Sequence, residues 1–157
     1  MKKIKLTKGM IALIDNGDFG KVSQHKWRAR KARNTYYATT TRGDWRGKKQ
    51  VDLHNLIMDP PDGLIVDHQD RNGLHCQRNN MRYCTNAQNS KNRSAWGLSK
   101  YLGVSIVRHK TCVRWEAKIF SNGKRTYLGS FKTQKEAALA YDNAAKEIHG
   151  RFANLNF

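Results

Sequence analysis

Asp67 and His68 stand side by side at the end of the short apolar run Leu64, Ile65, Val66, and Asn89 follows farther along in a polar stretch. A carboxylate and an amide carbonyl are hard oxygen ligands that suit Mg²⁺ or Mn²⁺, and two protein ligands leave room for water and a phosphate oxygen. An imidazole beside such an ion can take a proton from attacking water, because its ordinary pKa lies near neutrality. These groups suffice for phosphodiester hydrolysis if the chain brings them to one place.

The surrounding residues supply elements that would do so. Pro60, Pro61 and Gly63 bound the apolar run on one side and a polar loop bounds it on the other, which predicts a buried strand ending at Asp67 and His68. Met81 to Tyr83 is a second short strand that can pair back after an Asn-, Asp- and Gly-rich loop. Asp70 and Asn72 read as residues that shape that loop. Thr85 with Gln88 makes a capping box, so Asn89 falls in the first turn of a helix. A strand, loop, strand, helix unit folded on itself can turn Asn89 toward Asp67 and His68.

The motifs Leu53-His54-Asn55-Leu56-Ile57, Val66-Asp67-His68, Asn72-Gly73, Asn80-Met81-Arg82 and the closing Asn89 resemble the HNH family of homing endonucleases common in phages. The resemblance covers residues 51 to 93 and implies a ββα-metal unit. It also implies that His68 is the general base, that Asp67 and Asn89 hold the metal, and that Asn80 orients the histidine and its loop. Two positions depart from the family pattern. Arg71 stands where glycine is frequent, and the closing residue is Asn rather than His, which still offers a carbonyl oxygen. His54, on a short helix-like segment, is expected to have a structural hydrogen-bonding role.

Charge is distributed unevenly along the 157 residues. There are 30 Lys and Arg against 12 Asp and Glu, a formal net charge of +18. Residues 1 to 50 carry 14 basic and 3 acidic side chains, 51 to 96 carry 5 of each, and 97 to 157 carry 11 and 4. An excess of this size points to a polyanionic partner, and a neutral centre between basic flanks suits a site that must accept a cation. Cys76, Cys84 and Cys112 are an odd number without a Cys-x-x-Cys pair, which argues against a disulfide framework or a structural zinc site. No apolar run is long enough for a membrane span, and the lysine-rich start is not followed by a signal-peptide core, so a cytoplasmic protein is expected.

The first 50 residues read as a β-rich basic region that extends the nuclease unit. Ile4 and Leu6 alternate with lysines, Met10 to Ile14 is apolar, and residues Asp15 to Asp18 signal a turn. Two further strands are expected around Trp27 to Arg33 and Tyr36 to Thr41. Arg28, Arg30 and Arg33 are the candidate phosphate contacts there, and Trp27, Tyr36 and Tyr37 are either core or nucleic-acid contacts. A basic turn from Arg42 to Lys49 follows, and residues 94 to 100 read as a linker.

Beyond the linker the alternation of Val104 and Ile106, then Trp115, Ala117 and Ile119, then Leu128, predicts a three-stranded antiparallel sheet with an Asn122-Gly123 hairpin. Thr133 and Glu136 form a capping box, and the alanine-rich segment ending at Gly150 predicts one helix packed on the sheet. If Trp115, Ala117 and Ile119 face the helix, Arg114 and Lys118 face the other way, joined by Arg125 and Tyr127. Tyr101-x-Gly103-Val104, Tyr127-Leu128-Gly129, Ala140-Tyr141-Asp142 and Asn154-Leu155-Asn156-Phe157 resemble the APETALA and ethylene-response-factor type of DNA-binding domain, over residues 101 to 157. On the first strand, where plant members place base-reading arginines, this chain has Leu102, Ser105 and Val107, with Arg108 nearby.

The expected fold is therefore α+β: a ββα-metal nuclease unit at 51–93, a β-rich basic region at 1–50 before it, and a three-stranded sheet on one helix at 101–157 after it. The expected activity is metal-dependent cleavage of double-stranded DNA at a preferred site, of the homing type and phage-encoded in a bacterial host. Mg²⁺ or Mn²⁺ is the cofactor and Arg28, Arg30, Arg33, Arg108, Arg114, Lys118, Arg125 and Tyr127 are the DNA contacts. One active centre per chain allows a monomeric nickase, the preferred reading, or a dimer that cuts both strands. The alternative is a DNA-binding regulator that keeps the nuclease fold as an inactive scaffold. An RNA-binding accessory role would use the same charge, but no aromatic RNA-stacking sheet is recognisable.

Overall fold

Apolar residues spaced by lysines at the start of the chain form an antiparallel pair, β1 (Lys2–Lys5) with β2 (Ile11–Ile14). Alternation sends Ile4, Ala12 and Ile14 into the core and leaves the lysines in water. The turn at Asn16–Asp18 runs into a short helix, α1 (Phe19–Ser23), which the sequence did not announce because five residues are too few to show a period. Its Val22 is buried, and the Val22 carbonyl accepts a hydrogen bond of 2.9 Å from the Trp27 indole. Trp27 is thus core.

Next come β3 (Arg28–Lys31), β4 (Tyr36–Arg42) and β5 (Lys49–Asp52), an antiparallel sheet in the order β3-β4-β5. One face presents Ala29, Ala38 and Val51 to the same core as Ile14, Val22 and Leu53. Strand alternation puts Arg28, Arg30, Tyr37 and Asp52 on the other face. Helix α2 (Leu53–Met58) follows at once, burying Leu53, His54, Leu56 and Ile57, and ends where Asp59 turns to φ +49° ahead of Pro60.

The expected strand after that turn is β6 (Ile65–His68), followed by a two-residue strand β7 (His75–Cys76) and by β8 (Met81–Cys84). Strands β6 and β8 pair antiparallel with Asp67 opposite Arg82 and His68 opposite Met81. β7 runs parallel to β2 and completes the first sheet, in the order β1-β2-β7. The loop between β6 and β8 is therefore bolted to the N-terminal residues. Helix α3 (Asn86–Asn89), a single turn after Thr85, closes the series.

The computed structural model describes residues 1–43, 47–92 and 99–157; positions 44–46 of the expected basic turn and 94–98 of the expected linker lie outside them. Clustering of contacts divides the chain into Met1–Ala87 and Gln88–Phe157. In the second unit β9 (Val104–Arg108), β10 (Val113–Ser121) and β11 (Lys124–Phe131) form an antiparallel sheet in the order β11-β10-β9, with α4 (Gln134–His149) packed on it. Asn122 and Gly123 take φ of +50° and +76° in the hairpin, as a tight Asn-Gly turn requires. A bulge between Ala117 and Lys118 leaves Leu128 extra on β11.

Both halves of the Thr133–Glu136 capping box start α4, and Ala137, Ala138 and Ala145 let it lie close on the sheet. Gly103, at φ +68°, lies against the Tyr141 ring; a Cβ there would sit 2.0 Å from it. The buried Asp142 carboxylate accepts hydrogen bonds from the backbone N–H groups of Asn156 and Phe157, and Asn156 in turn bonds Leu102. That clasp ties the chain end to the start of the sheet. The protein is a mixed α+β structure of several small sheets and few helices, and among the described residues no helix is long and apolar enough to cross a membrane.

Candidate functional site

Strand alternation at the end of β6 turns Asp67 and His68 to opposite sides. Asp67 is 5% exposed and faces its cross-strand partner, with Nε and Nη2 of Arg82 donating to the same oxygen, Oδ2, at 2.9 and 2.8 Å. A carboxylate this deeply buried needs such a counter-charge, because desolvation of an unpaired ion costs several kcal/mol.

His68, also 5% exposed, enters an aromatic cluster with His54 from α2 and Tyr37 from β4. The His54 and His68 rings meet edge-on with centroids 5.1 Å apart, and Tyr37 lies 5.3 Å from His54 and 6.0 Å from His68. Nε2 of His68 is 3.7 Å from Cys76 Sγ. Burial lowers the pKa of His68, against the nearby charges of Asp70 and Asp67, so the neutral imidazole is favoured. For His54 burial, then His68 and Arg30, push the pKa down to about 3. Burial likewise raises the Cys76 thiol to about 12, which makes it an inert thiol.

The hydrogen-bonding role expected for His54 is not what the structure gives. Its Nδ1 is buried without a hydrogen-bond partner among the described residues, and the ring acts through packing. α2 aims it at other rings rather than at a carbonyl or carboxylate.

The loop from Gln69 to Asn80 is held by Asn80. Its Nδ2 donates to Asp70 Oδ1 at 2.9 Å and to the His75 carbonyl at 2.8 Å, and its Oδ1 accepts from the Asp70 N–H at 3.1 Å. Asp70 and Asn72 each cap the backbone N–H two residues ahead, those of Asn72 and Leu74, in Asx turns. His75 Nδ1 lies 2.6 Å from Asp70 Oδ2, and both are partly exposed. Burial alone would raise the Asp70 pKa, but hydrogen bonds from Asn72, Asn80 and His75 outweigh it and lower the pKa. Arg71 adopts φ +66°, the conformation for which glycine is usual. Near the end of the loop, Arg78 donates to both oxygens of Asp18 and to the Ile57 carbonyl, tying the loop to the residue before α1 and to α2.

Asn89 closes α3 and belongs to the second unit, so the first unit carries Asp67, His68 and Asn80, with Asp67 and His68 on opposite faces of β6. Among the described residues no three His, Cys, Asp or Glu side chains are grouped to hold a metal. The Asp67 carboxylate and the Asn89 amide oxygen are each donors of the type that a hard cation takes.

The candidate DNA contacts divide likewise. Arg28 and Arg33 are exposed, whereas Arg30 is bound to Asp52 through Nη2 at 3.1 Å and stacked 5.4 Å from the Tyr37 ring. In the second unit Lys118 lies opposite Tyr127, and Arg125 opposite Phe120, on the sheet face away from α4; Arg114 shares that face. Arg108 pairs with Val113 at a position of the helix-side register, so alternation separates it from the other four. Lys118 is paired with Glu116 at 2.6 Å.

No protein-family model matches the chain. An uncharacterized HNH endonuclease of Acanthamoeba polyphaga mimivirus is 29% identical over 153 residues, 95% of this chain and 76% of that protein. The chain is a distant homologue of an HNH endonuclease. The ethylene-responsive transcription factor WRI1 of Arabidopsis thaliana is 53% identical over 64 residues, and an APETALA2-like protein of rice, Oryza sativa, 46% over 59 residues. These matches take 39% and 38% of this chain but 14% and 13% of the plant proteins, so the chain spans less than a fifth of either.

Within the first unit, sequence reasoning overlooked three contributors. Arg82 was visible in the motif, but its pairing follows only from the β6–β8 register. Tyr37, which touches His54 and His68, had no signal beyond an ambiguous aromatic. His75 was hidden because its partner Asp70 is assigned to the loop by its Asx turn.

Proposed function

We propose that the protein is a metal-dependent endonuclease of the homing type, cutting phosphodiester bonds in double-stranded DNA at a preferred site. We read it as phage- or mobile-element-encoded and active in the cytoplasm of a bacterial host. The observation that carries the reading is the adjacent Asp67 and His68 on β6, in a chain related over 95% of its length to an HNH endonuclease.

In this reading residues 51–93 are a ββα-metal unit. The His68 imidazole takes the proton of the attacking water as the water oxygen bonds to phosphorus and the bond from phosphorus to the leaving sugar oxygen breaks. Asp67 and Asn89 would hold Mg²⁺ or Mn²⁺, which when bound supplies positive charge beside the phosphate oxygens. Arg82 holds the Asp67 carboxylate by two hydrogen bonds to Oδ2. Asn80 fixes the loop that follows His68. Arg114, Lys118, Arg125 and Tyr127 form the main DNA-reading face, with phosphates gripped by Arg28 and Arg33; in this state Arg30 and Arg108 are placed for support rather than contact. A monomer that nicks one strand is the simplest working form.

The test is plasmid nicking with Mg²⁺, Mn²⁺ and EDTA on DNA carrying the gene's own flanking sequence. Metal-dependent nicking by the native chain is expected, with a loss of about 10²–10⁴-fold in His68→Ala. A second reading, a DNA-binding regulator on an inactive nuclease scaffold, is favoured by one observation: Asp67 is already engaged by Arg82 and His68 is sealed among rings. Tight binding without cleavage in any metal would establish it.

A further inference from the structure

The second unit has a basic cleft beside the proposed DNA-reading face. β9 begins at Val104, opposite Ala117, so beyond the bond from Lys118 N–H to the Gly103 carbonyl no strand among the described residues flanks that edge of β10. The segment at Ser90 and Lys91 lies there instead. Lys91 Nζ donates to the Phe120 carbonyl at 3.0 Å and sits 5.4 Å from the exposed Phe120 ring. The last turn of α4 adds His149, β11 adds Arg125 and β9 adds Ser105, enclosing a cleft of about 560 Å³.

Among the described residues four basic side chains line this cleft and no carboxylate does. Lys118 has Glu116 as its partner, but no ion pair among the described residues involves Lys91, Arg125 or His149. Burial and then the Lys91 ammonium hold the His149 imidazole below its ordinary pKa. Basic groups gathered around a concavity focus positive potential within it. Ammonium, guanidinium, imidazole and hydroxyl donors around one space fit an oxyanion.

We propose that this cleft seats a backbone phosphate of duplex DNA, held by Lys91, Arg125 and His149. The inference rests on the DNA-binding reading and adds Lys91 and His149 to it. A phosphate contact sets position rather than sequence. Because Lys91 follows Asn89 by two residues in the same unit, the contact would also anchor the segment that carries Asn89.

The test is fluorescence anisotropy of the full chain on two duplexes, one of the gene's flanking sequence and one scrambled, over a series of KCl concentrations. Lys91→Met keeps the stem over Phe120 and removes the charge, His149→Gln keeps a polar group, and Lys91→Arg restores the cation. The double variant is expected to bind both duplexes about tenfold more weakly, with a salt slope shallower by roughly 1 to 2, while Lys91→Arg matches the native chain. Native affinity and slope in the double variant and in Lys91→Met, or a loss confined to one duplex, would overturn the phosphate seat and leave DNA binding standing. No binding by the native chain would overturn the DNA reading itself, and the proposal with it.

Discussion

In the first unit Asp67 and His68 are each 5% exposed, whereas in the second Phe120 and Tyr127 keep 54% and 55% of their surfaces in water. The first unit neutralises Asp67 with Arg82 and keeps His68 neutral by burial; the second presents Arg125 with no ion-pair partner among the described residues. Groups that would move protons or hold a cation gain from a dry setting in which each charge has a fixed partner, since electrostatic effects are largest there. Groups that would meet a polyanion gain from exposure, since counterion release needs solvated charge. One chain thus holds two electrostatic regimes.

The sharpest way to break this contrast is to remove one charge from each regime. Asp67→Ala leaves the Arg82 guanidinium, on a side chain only 17% exposed, without its carboxylate, and should cost about 3–5 kcal/mol in urea unfolding. Arg125→Ala should change stability by less than about 0.5 kcal/mol while weakening DNA binding. Equal losses of stability in the two variants would mean that the regimes are not distinct.

Exposure of the second unit's face does not imply a soft foundation. Gly103→Ala places a Cβ 2.0 Å from the Tyr141 ring and 2.7 Å from the Lys118 carbonyl, at a left-handed φ, and should cost about 3 kcal/mol. Gly123→Ala, at φ +76° with nothing within 4 Å, should cost only about 1 kcal/mol. A melting-temperature comparison decides, and similar shifts would show that Tyr141 yields to the added methyl.

Much of this arrangement is legible in the sequence, and the parts that are not share a cause. The second unit reads almost completely, because its alternation, the Asn122-Gly123 turn and the Thr133–Glu136 box are local signals that agree with one another. β6, β8 and α3 also follow from local pattern. The parallel pairing of Leu13 with His75, the Arg78–Asp18 lock and the Tyr37–His54–His68 cluster join residues far apart in sequence, and no local rule announces them. Arg71 marks the boundary: its departure from glycine was visible, but the φ of +66° that gives it meaning was not. Its local strain is of the order of 1 kcal/mol.

His54 allows the buried regime to be read through pH. Its pKa is about 3 in the folded chain against an ordinary value of 6.5, so between those values the unfolded chain binds more protons. The stability that comes from keeping it neutral is complete above pH 6.5 and falls away as the pH drops toward 3. Between pH 6.5 and 5 the native chain should lose about 2 kcal/mol more than His54→Phe, which keeps a ring against Tyr37 and His68 but has nothing to titrate. The variant also removes the Nδ1 that has no hydrogen-bond partner among the described residues, so at neutral pH it should be at least as stable as the native chain. Urea unfolding at the two pH values checks both statements. Parallel pH dependence in the two proteins would show that water reaches His54 and that the cluster around His68 is less dry than its packing implies.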